Sequence, residues 1–211
     1  MVNRATTSPL VPRRRPSQER SRRKFDTMLA VARDLLIEVG FESMTCEEIA
    51  ARADVPIGTL YQFFANKYVI VCELDRQDTV AVQAELVELG SAIPSLDWPA
   101  LLERFLDHLA ALWQHDPSRR AVWLAVQSTP ATRATAALNE QALAEQVEHI
   151  LAPLTPHQRE RRKTMARLLV HTVFSALSFS VQEGQDRAST VAELKRMMGG
   201  YLLREEGKLE R

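Results

Sequence analysis

Residues 41–67, FESMTCEEIAARADVPIGTLYQFFANK, contain start and stop signals for two short helices separated by a tight turn. Thr45 and Glu48 have the spacing of a capping box, in which the threonine hydroxyl meets the amide three residues later. This first helix is expected to end near Asp54, and Pro56, whose φ is preset for the first helical position, starts the next. The pattern predicts a helix-turn-helix, because small side chains beside the turn let the two helices pack closely. These small residues are Ala50, Ala53 and Val55.

The second of these helices, residues 57–63, carries side chains suited to a DNA duplex. In a helix-turn-helix the second helix lies in the major groove, where it meets base edges and phosphates. Thr59 and Tyr61 are expected to donate hydrogen bonds to phosphate oxygens. Gln62 is expected to bond an adenine edge, and Ile57 is expected to lie against a thymine methyl group.

Four neighbouring residues complete the predicted interface and its support. Leu60 and Phe64 are expected to face inward and anchor the helix. Gly58 lets the backbone approach the duplex. Lys67, together with the first amides of the following helix, is expected to form a seat for a phosphate group.

The chain has no formal net charge, but its charge is unevenly distributed. Residues 1–24 hold eight basic groups and one acid, which leaves a charge of +7 there and −7 on the remainder. A basic arm on an acidic body indicates a polyanionic partner near the N-terminus. Residues 1–17 are predicted to be a disordered basic arm, since they are rich in Pro, Arg, Ser and Thr without an apolar period. The arm either enters the minor groove or adds phosphate attraction, and we favour the second interpretation.

The rest of the chain predicts only helices, about nine in all. Apolar residues recur at three- and four-residue spacing, glycines are few, and no alternating strand pattern occurs. The expected helices cover about 18–39, 46–53, 56–63, 67–89, 97–114, 117–129, 132–151, 156–183 and 189–204. We therefore expect an all-α fold, with a helix-turn-helix DNA-binding domain at 18–67 and an effector-binding and dimerisation domain at 68–211.

The spaced set of residues around the turn resembles the TetR family of bacterial repressors over about residues 20–70. The resemblance is carried by Gly40-Phe41, Thr45, Ile49-Ala50, Ala53, Val55, Gly58-Thr59-Leu60-Tyr61, Phe64 and Lys67. It implies DNA contacts at Thr45, Ile57, Gly58, Thr59, Tyr61, Gln62, Phe63 and Lys67. Phe63 has a second interpretation of equal weight, in which its ring packs under the turn. The resemblance also implies a homodimer held by the last two helices, a palindromic operator, and release from that operator when a small molecule enters the C-terminal domain.

Two positions depart from the family pattern. Pro56 stands where a polar N-cap is usual, and Ile57 replaces a commonly polar first residue of the recognition helix. Both leave fewer hydrogen bonds for reading bases, so the operator sequence does not follow from the resemblance.

Candidate effector-binding residues are histidines, tryptophans and a glutamine in the C-terminal part of the chain: His108, Trp113, Trp123, Gln127 and His171. Each has two interpretations, because such a side chain either packs in the core or lines a pocket. The apolar helices around them indicate an apolar or amphipathic effector. No cofactor or metal is expected, because no two histidines are four residues apart and none accompanies a carboxylate in a zinc-like motif.

Three classes of function compete. The leading hypothesis is a repressor released by a small molecule. The alternative is a ligand-independent activator or an architectural DNA-binding protein, which the absence of an internal cavity would favour. An enzyme has little support, because GxSxG, P-loop, GxGxxG and HExxH motifs are all missing.

The chain is expected in the cytoplasm. Cys46 and Cys72 lack disulfide or metal spacing, which is typical of a reducing compartment. The longest uncharged stretch late in the chain, residues 168–182, is too short to span a bilayer, so no membrane partner is predicted.

Overall fold

The computed structural model describes residues 10–91, 98–152, 158–182 and 184–206, and the elements in these ranges are α-helices. They are α1 (Glu19–Glu38), α2 (Gly40–Ser43), α3 (Cys46–Arg52), α4 (Ile57–Phe63), α5 (Lys67–Ser91), α6 (Trp98–His115), α7 (Pro117–Val126), α8 (Pro130–Ile150), α9 (Arg159–Ser180) and α10 (Arg187–Glu206). The predicted all-α fold is confirmed. The described ranges hold ten helices rather than about nine, because α2 forms a helical turn of its own.

The helices divide between two compact units. The first contains the chain up to Asp78 together with Pro117–Asn139, and the second contains Thr79–Asp116 and the chain from Glu140 onward. Both α5 and α8 therefore contribute to each unit. The first unit is larger than the predicted domain of residues 18–67, because parts of α5, α7 and α8 complete its apolar core.

The core of the first unit is built on the apolar stripe of α1. Phe25 stacks on Phe64 with ring centroids 4.8 Å apart and meets Phe63 edge-on at 5.5 Å, which fixes α4 against α1. Gly40 follows α1 with φ of 74°, a conformation that glycine adopts without strain, so the predicted stop is confirmed. The buried residues of the stripe are Phe25, Met28, Leu29, Ala32, Leu35 and Leu36.

The second unit packs α6, α9 and α10 together. Leu106, Leu194 and Met198 are buried at its centre. Lys195 on α10 pairs with Asp107 on α6 at 2.6 Å. Apolar residues one helical turn apart face this centre, so each helix buries one stripe.

The start of α9 differs from the expectation. The expected first two residues of this helix, Pro156 and His157, lie outside the described residues. The helix begins at Arg159 after Gln158, which makes no side-chain capping bond, and it ends at Ser180 rather than near residue 183.

Residues 10–17 contact the first unit, which differs from the expected disorder of residues 1–17; residues 1–9 lie outside the described ranges. The Leu10 amide donates to Thr135 Oγ1 at 3.0 Å. The Arg13 amide donates to the Phe63 carbonyl at 2.8 Å. The segment is ordered because its backbone bonds Thr135 and Phe63 and because Arg15 pairs with the buried carboxylate of Glu73.

Candidate nucleic-acid interface

A short turn at residues 53–56 joins α3 and α4. Asp54 has φ of 51°, a region that few side chains other than Asn and Asp visit. The Val55 amide donates to the Ala50 carbonyl at 3.0 Å and closes the turn. Ala50 and Ala53 are buried, as expected of small residues where two helices approach closely.

The N-cap of α3 is the one that the sequence predicted. Thr45 Oγ1 accepts a hydrogen bond from the Glu48 amide at 3.1 Å. The Glu48 carboxylate accepts from Arg52 at 2.8 Å instead of reaching back to Thr45. Because the Thr45 hydroxyl is an acceptor in this cap, its own proton stays available for a phosphate oxygen.

The recognition helix α4 is amphipathic although it carries no charged residue. Leu60 is fully buried, as is Phe64 just after the helix, so this inward face holds the helix in place. Ile57 is 39% exposed, and Gln62 is exposed. A Cβ added at Gly58 would meet nothing within 4 Å, so the backbone there is open to an approaching molecule. Thr59 and Tyr61 are half-buried at the edges of this face.

Tyr61 holds its hydroxyl proton in the free protein. The hydroxyl donates to Glu47 Oε1 at 3.2 Å. This hydrogen bond raises the pKa of Tyr61, so the phenol stays a donor at neutral pH. A phosphate oxygen in the same position would replace the carboxylate as the acceptor.

Phe63, one of the expected DNA contacts, packs inside the free protein, and its contact with DNA stays a prediction. Its ring is only 2% exposed and packs against Phe25. Burying an aromatic ring in this core lowers the free energy of the folded protein more than leaving the ring exposed to water. Its carbonyl oxygen accepts a hydrogen bond from the Arg13 amide.

Lys67, expected to help seat a phosphate group, bonds backbone carbonyls in the free protein. Its ammonium donates to the carbonyl oxygens of Phe41, Glu42 and Met44 at 2.9, 2.9 and 3.2 Å. It also lies 4.6 Å from the centroid of the Phe41 ring. Since an ammonium has three donors, all of them are used within the protein. Lys67 therefore ties α2 to α5 in the free protein, and its contact with a phosphate group stays a prediction.

The arm brings positive charge to the end of the uncharged α4. Arg13 Nη1 donates to the Tyr61 carbonyl at 2.9 Å. Arg14 Nη2 donates to Gln62 Oε1 at 3.0 Å, and its guanidinium lies 5.0 Å from the Phe63 ring centroid. Cations at a helix C-terminus are favourable because the last carbonyls carry partial negative charge.

A buried carboxylate anchors this part of the arm. Arg15 donates through Nε and Nη2 to both oxygens of Glu73, at 3.2 and 2.8 Å. Arg76 donates to the same carboxylate at 3.0 and 2.7 Å, and the Glu73 side chain is 1% exposed. Burial alone would raise the pKa of Glu73, but the hydrogen bonds from Arg76 and Arg15 outweigh it and lower that pKa.

Arg13, Arg14 and Glu73 are not among the site residues predicted from the sequence. The arginines were interpreted as diffuse attraction to phosphate. A signal existed at Glu73, because it is a lone acid within the apolar run of residues 69–74. A charge at such a position is rarely buried without a partner.

The second unit contains an apolar cavity of about 90 Å³. Its lining comes from α5, α6, α8, α9 and α10, and every described lining residue is apolar. Its members include Val82, Leu86, Phe105, Leu106, Leu109, Val147, Leu151, Val173, Phe174 and Leu202. A cavity with these walls has no hydrogen-bond partner to offer, so it selects an apolar occupant.

None of the five candidate effector-binding residues is among this lining. His108 lies 3.2 Å from Glu85, and His171 is largely exposed and lies 3.3 Å from Glu140. Trp113 is buried with its ring centroid 6.5 Å from that of Phe174. Trp123 and Gln127 belong to the first unit and are half-buried. Their proposed role in ligand binding stays a prediction.

An apolar surface runs along α9 and α10. Leu168 and Phe179 on α9 are 60% and 45% exposed, and Met197 and Tyr201 on α10 are 58% and 42% exposed. The adjacent face of α10 packs into the core, since Leu194, Met198 and Leu202 are buried there. Both helices are therefore apolar on two sides, which is unusual for helices that face only water.

Two family models match this chain and together span both units. The model described as bacterial regulatory proteins, tetR family, matches residues 28–74. The model described as tetracyclin repressor-like, C-terminal domain, matches residues 96–206. An all-helical chain with an N-terminal helix-turn-helix and this second domain is a DNA-binding transcriptional regulator. The chain belongs to the TetR family.

The chain is also similar to one curated protein over part of its length and to two solved structures. The uncharacterised HTH-type transcriptional regulator YdeS of Bacillus subtilis is 32% identical over 80 residues, which are 37% of this chain and 40% of the relative's length. The fatty acid degradation regulator FadR from Bacillus halodurans has a TM-score of 0.69 at 15% identity, covering 87% of this chain and 96% of its own. SmeT in a triclosan complex has a TM-score of 0.60 at 18% identity, covering 82% and 90%. At these identities the two structures show a shared fold.

Among the described helices, none combines the length and apolar content needed to cross a bilayer.

Proposed function

We propose that this chain is a homodimeric repressor that binds a palindromic operator through α4 and leaves it when an apolar small molecule occupies the second unit. The observation that carries the proposal is the outward face of α4, an uncharged helix held from behind by a packed core. Because it acts on the chromosome, such a repressor works in the cytoplasm.

The support for DNA binding is the chemistry of this face. Ile57, Gly58 and Gln62 are exposed together, and Thr59 and Tyr61 border them with hydroxyl groups. Hydroxyls suit phosphate oxygens, and the amide and apolar side chains suit base edges. Thr45 adds a free hydroxyl proton at the start of α3. The contact set proposed here is therefore Thr45, Ile57, Gly58, Thr59, Tyr61 and Gln62.

The support for a homodimer is the exposed apolar surface of α9 and α10. Leu168, Met197 and Tyr201 border one groove between the two helices. Leaving such side chains in water is unfavourable, and a second copy of the same surface would cover them in a four-helix arrangement. A two-fold dimer presents two copies of α4 to one duplex, which matches a palindromic operator.

The support for an apolar effector is the cavity. A polar group placed inside it would lose its hydrogen bonds to water at a cost of about 2–7 kcal/mol. Cavities of about 150 Å³ hold benzene, so a space of about 90 Å³ must widen to admit a whole drug-sized molecule. A ligand that prefers the widened form shifts the population toward it. The SmeT complex with triclosan gives a precedent for such a ligand on this fold.

The proposed coupling runs along α5. The helix begins at Lys67, beside the helix-turn-helix, and continues to Ser91, while Val82 and Leu86 on it line the cavity. Widening the cavity moves these residues, and the continuous helix carries the movement toward α4. The ligand then favours a spacing of the two recognition helices that no longer fits successive major grooves.

The test is operator binding by fluorescence anisotropy, with duplexes from the region upstream of the chain's own gene. We expect a dissociation constant near or below about 10⁻⁸ M at physiological salt for the specific duplex. Thr59→Ala together with Gln62→Ala should weaken binding by about tenfold or more, since each base or phosphate contact contributes roughly 1–3 kcal/mol.

The matched control is Thr27→Ala. Its exposed hydroxyl bonds only to the Arg23 carbonyl of its own helix, so this variant should bind like the unmodified chain. Absence of binding to any upstream duplex at low ionic strength contradicts the proposal. Equal losses in the control and the double variant contradict the assignment of the surface.

A further inference from the structure

The arm and the recognition helix meet at one pair of side chains, Arg14 and Gln62. The Arg14 guanidinium donates to Gln62 Oε1 at 3.0 Å. A guanidinium has no acceptor, so the amide atom that faces it is the oxygen. The orientation of the Gln62 amide is thereby fixed, with its NH₂ group left free.

Arg14 is held in place by contacts that do not involve Gln62. The preceding residue is tied to α4 by its amide, which donates to the Phe63 carbonyl at 2.8 Å. The following residue, Arg15, is tied to the buried Glu73 by two hydrogen bonds. The Phe63 ring lies beneath the Arg14 guanidinium at 5.0 Å, a cation–π distance. The anchored residues on both sides of Arg14 and the Phe63 ring together hold the Arg14 guanidinium beside Gln62.

This pairing changes what Gln62 offers to DNA. A free glutamine bonds adenine in a bidentate manner, because its oxygen accepts from N6 and its NH₂ donates to N7. In the pair, one of the two lone pairs of the Gln62 oxygen is already taken by Arg14, and the guanidinium stands beside that oxygen. The Gln62 NH₂ and the remaining N–H groups of Arg14 therefore make the pair predominantly a hydrogen-bond donor. Guanine presents two acceptors in the major groove, O6 and N7, and no donor at those positions.

We propose that Arg14 is a specificity-determining positioning residue, which orients Gln62 so that the Arg14–Gln62 pair selects guanine rather than adenine in each half-site. Residues 13–15 are thus a fixed part of the reading surface. The inference rests on the proposed function, because it assigns base specificity to the same DNA-binding face.

The test selects bound duplexes from a random pool, sequences them, and then measures affinities for the resulting site and its single guanine-to-adenine variants. The unmodified chain should enrich one guanine per half-site that depends on Gln62, and Gln62→Ala should lose that preference. Arg14→Ala should shift the preference at this position toward adenine, changing the guanine-to-adenine affinity ratio by about tenfold. Arg14→Lys, which keeps a donor, should retain guanine.

Arg13→Ala is the matched control. Arg13 bonds the Tyr61 backbone and no recognition side chain, so its loss should weaken binding to all sequences alike and reduce the salt dependence. If Arg14→Ala lowers affinity as uniformly as Arg13→Ala does, Arg14 is only a phosphate contact and the inference is overturned. If the unmodified chain retains no duplex from the pool, the proposed function itself fails.

Discussion

At the scale of single residues, the most informative position is Glu73. It is a carboxylate in an apolar run, and its side chain is almost fully buried between two guanidinium groups. Arg15 and Arg76 use four hydrogen bonds to keep it charged. One consequence is local, since Glu73 holds the arm beside α4. A second is a dependence of stability on pH.

Replacing Glu73 by glutamine should lower the free energy of unfolding by about 1–3 kcal/mol at about pH 7, because charge-assisted bonds to both arginines are weakened. The pKa of Glu73 is lowered in the folded chain, so its contribution is present above the ordinary glutamate pKa of about 4.3 and is lost as pH falls through the lower folded value. The difference between the two proteins should therefore shrink at acid pH. Urea unfolding at about pH 7 and about pH 3 measures it.

The matched control for that measurement is Glu160→Gln. Glu160 pairs with Lys163 at 2.9 Å on the surface, where solvent screens the interaction. This substitution should change stability little at either pH. If Glu73→Gln behaves in the same way, the buried anchor does not stabilise the fold.

At the scale of the elements, α2 shows how a short helix persists. Four residues are too few to form a stable helix alone, because nucleation is costly. The ammonium of Lys67 donates hydrogen bonds to three carbonyl oxygens in and just after α2, and it lies over the Phe41 ring. The start of α5 thus orders the segment that precedes the N-cap of α3.

Replacing Lys67 by methionine should destabilise the first unit by about 1–3 kcal/mol, because three carbonyl oxygens, two of them in part-buried hydrogen bonds, lose a charged donor. Thermal unfolding measures the loss. DNA affinity should fall no more than the lost stability and lost charge explain, with the base preference unchanged. A selective loss of phosphate contacts in a fully stable protein would support the phosphate-seat interpretation.

Lys163→Met is the comparison for this substitution. Lys163 also donates to an acceptor at 2.9 Å, but that acceptor is the exposed carboxylate of Glu160. We expect a change in stability of less than about 1 kcal/mol for it.

At the scale of the whole molecule, two features call for a second molecule. The surface of α9 and α10 exposes large apolar side chains, and the cavity of the second unit has no polar wall among its described residues. The first favours a second copy of the chain, and the second favours a small apolar ligand. Each gives a prediction with its own readout.

Substituting Leu168 and Met197 together by glutamate should convert the dimer to monomer, because four carboxylates would be brought into one apolar interface. Sedimentation velocity at micromolar concentration measures the state. The control is Leu138→Glu, an exposed leucine on α8 that should leave the dimer intact. Unchanged sedimentation of the double variant would place the interface elsewhere.

Filling the cavity with Val147→Phe should abolish the rise in melting temperature that an apolar ligand produces by binding the folded state. The probes are triclosan and a series of n-alkanols in a thermal-shift measurement. Val87→Phe is the control, since Val87 is 57% exposed and outside the lining. A ligand response that survives in the Val147 variant would separate ligand binding from this cavity.

The sequence predicted the local features well because they depend on neighbouring residues. The Thr45 cap, the stop at Gly40, the small residues at the turn and the inward positions of Leu60 and Phe64 all follow from short-range spacing. The contacts that Phe63 and Lys67 make within the protein were not foreseen, because their partners, Phe25 and the carbonyls of α2, are 38 and about 25 positions away. A local sequence pattern does not indicate which groups, distant in sequence, will accept hydrogen bonds from a side chain or pack against it.

The amino-acid sequence alone determined the all-helical class, the helix-turn-helix and the polar face of α4, since periodicity and capping act within one or two turns. Only the tertiary structure decided that the arm lies beside α4, that Arg14 meets Gln62 and that the cavity has purely apolar walls. These features join segments as far apart as residues 14 and 62, or 82 and 202, and their positions depend on how helices pack rather than on how each helix forms.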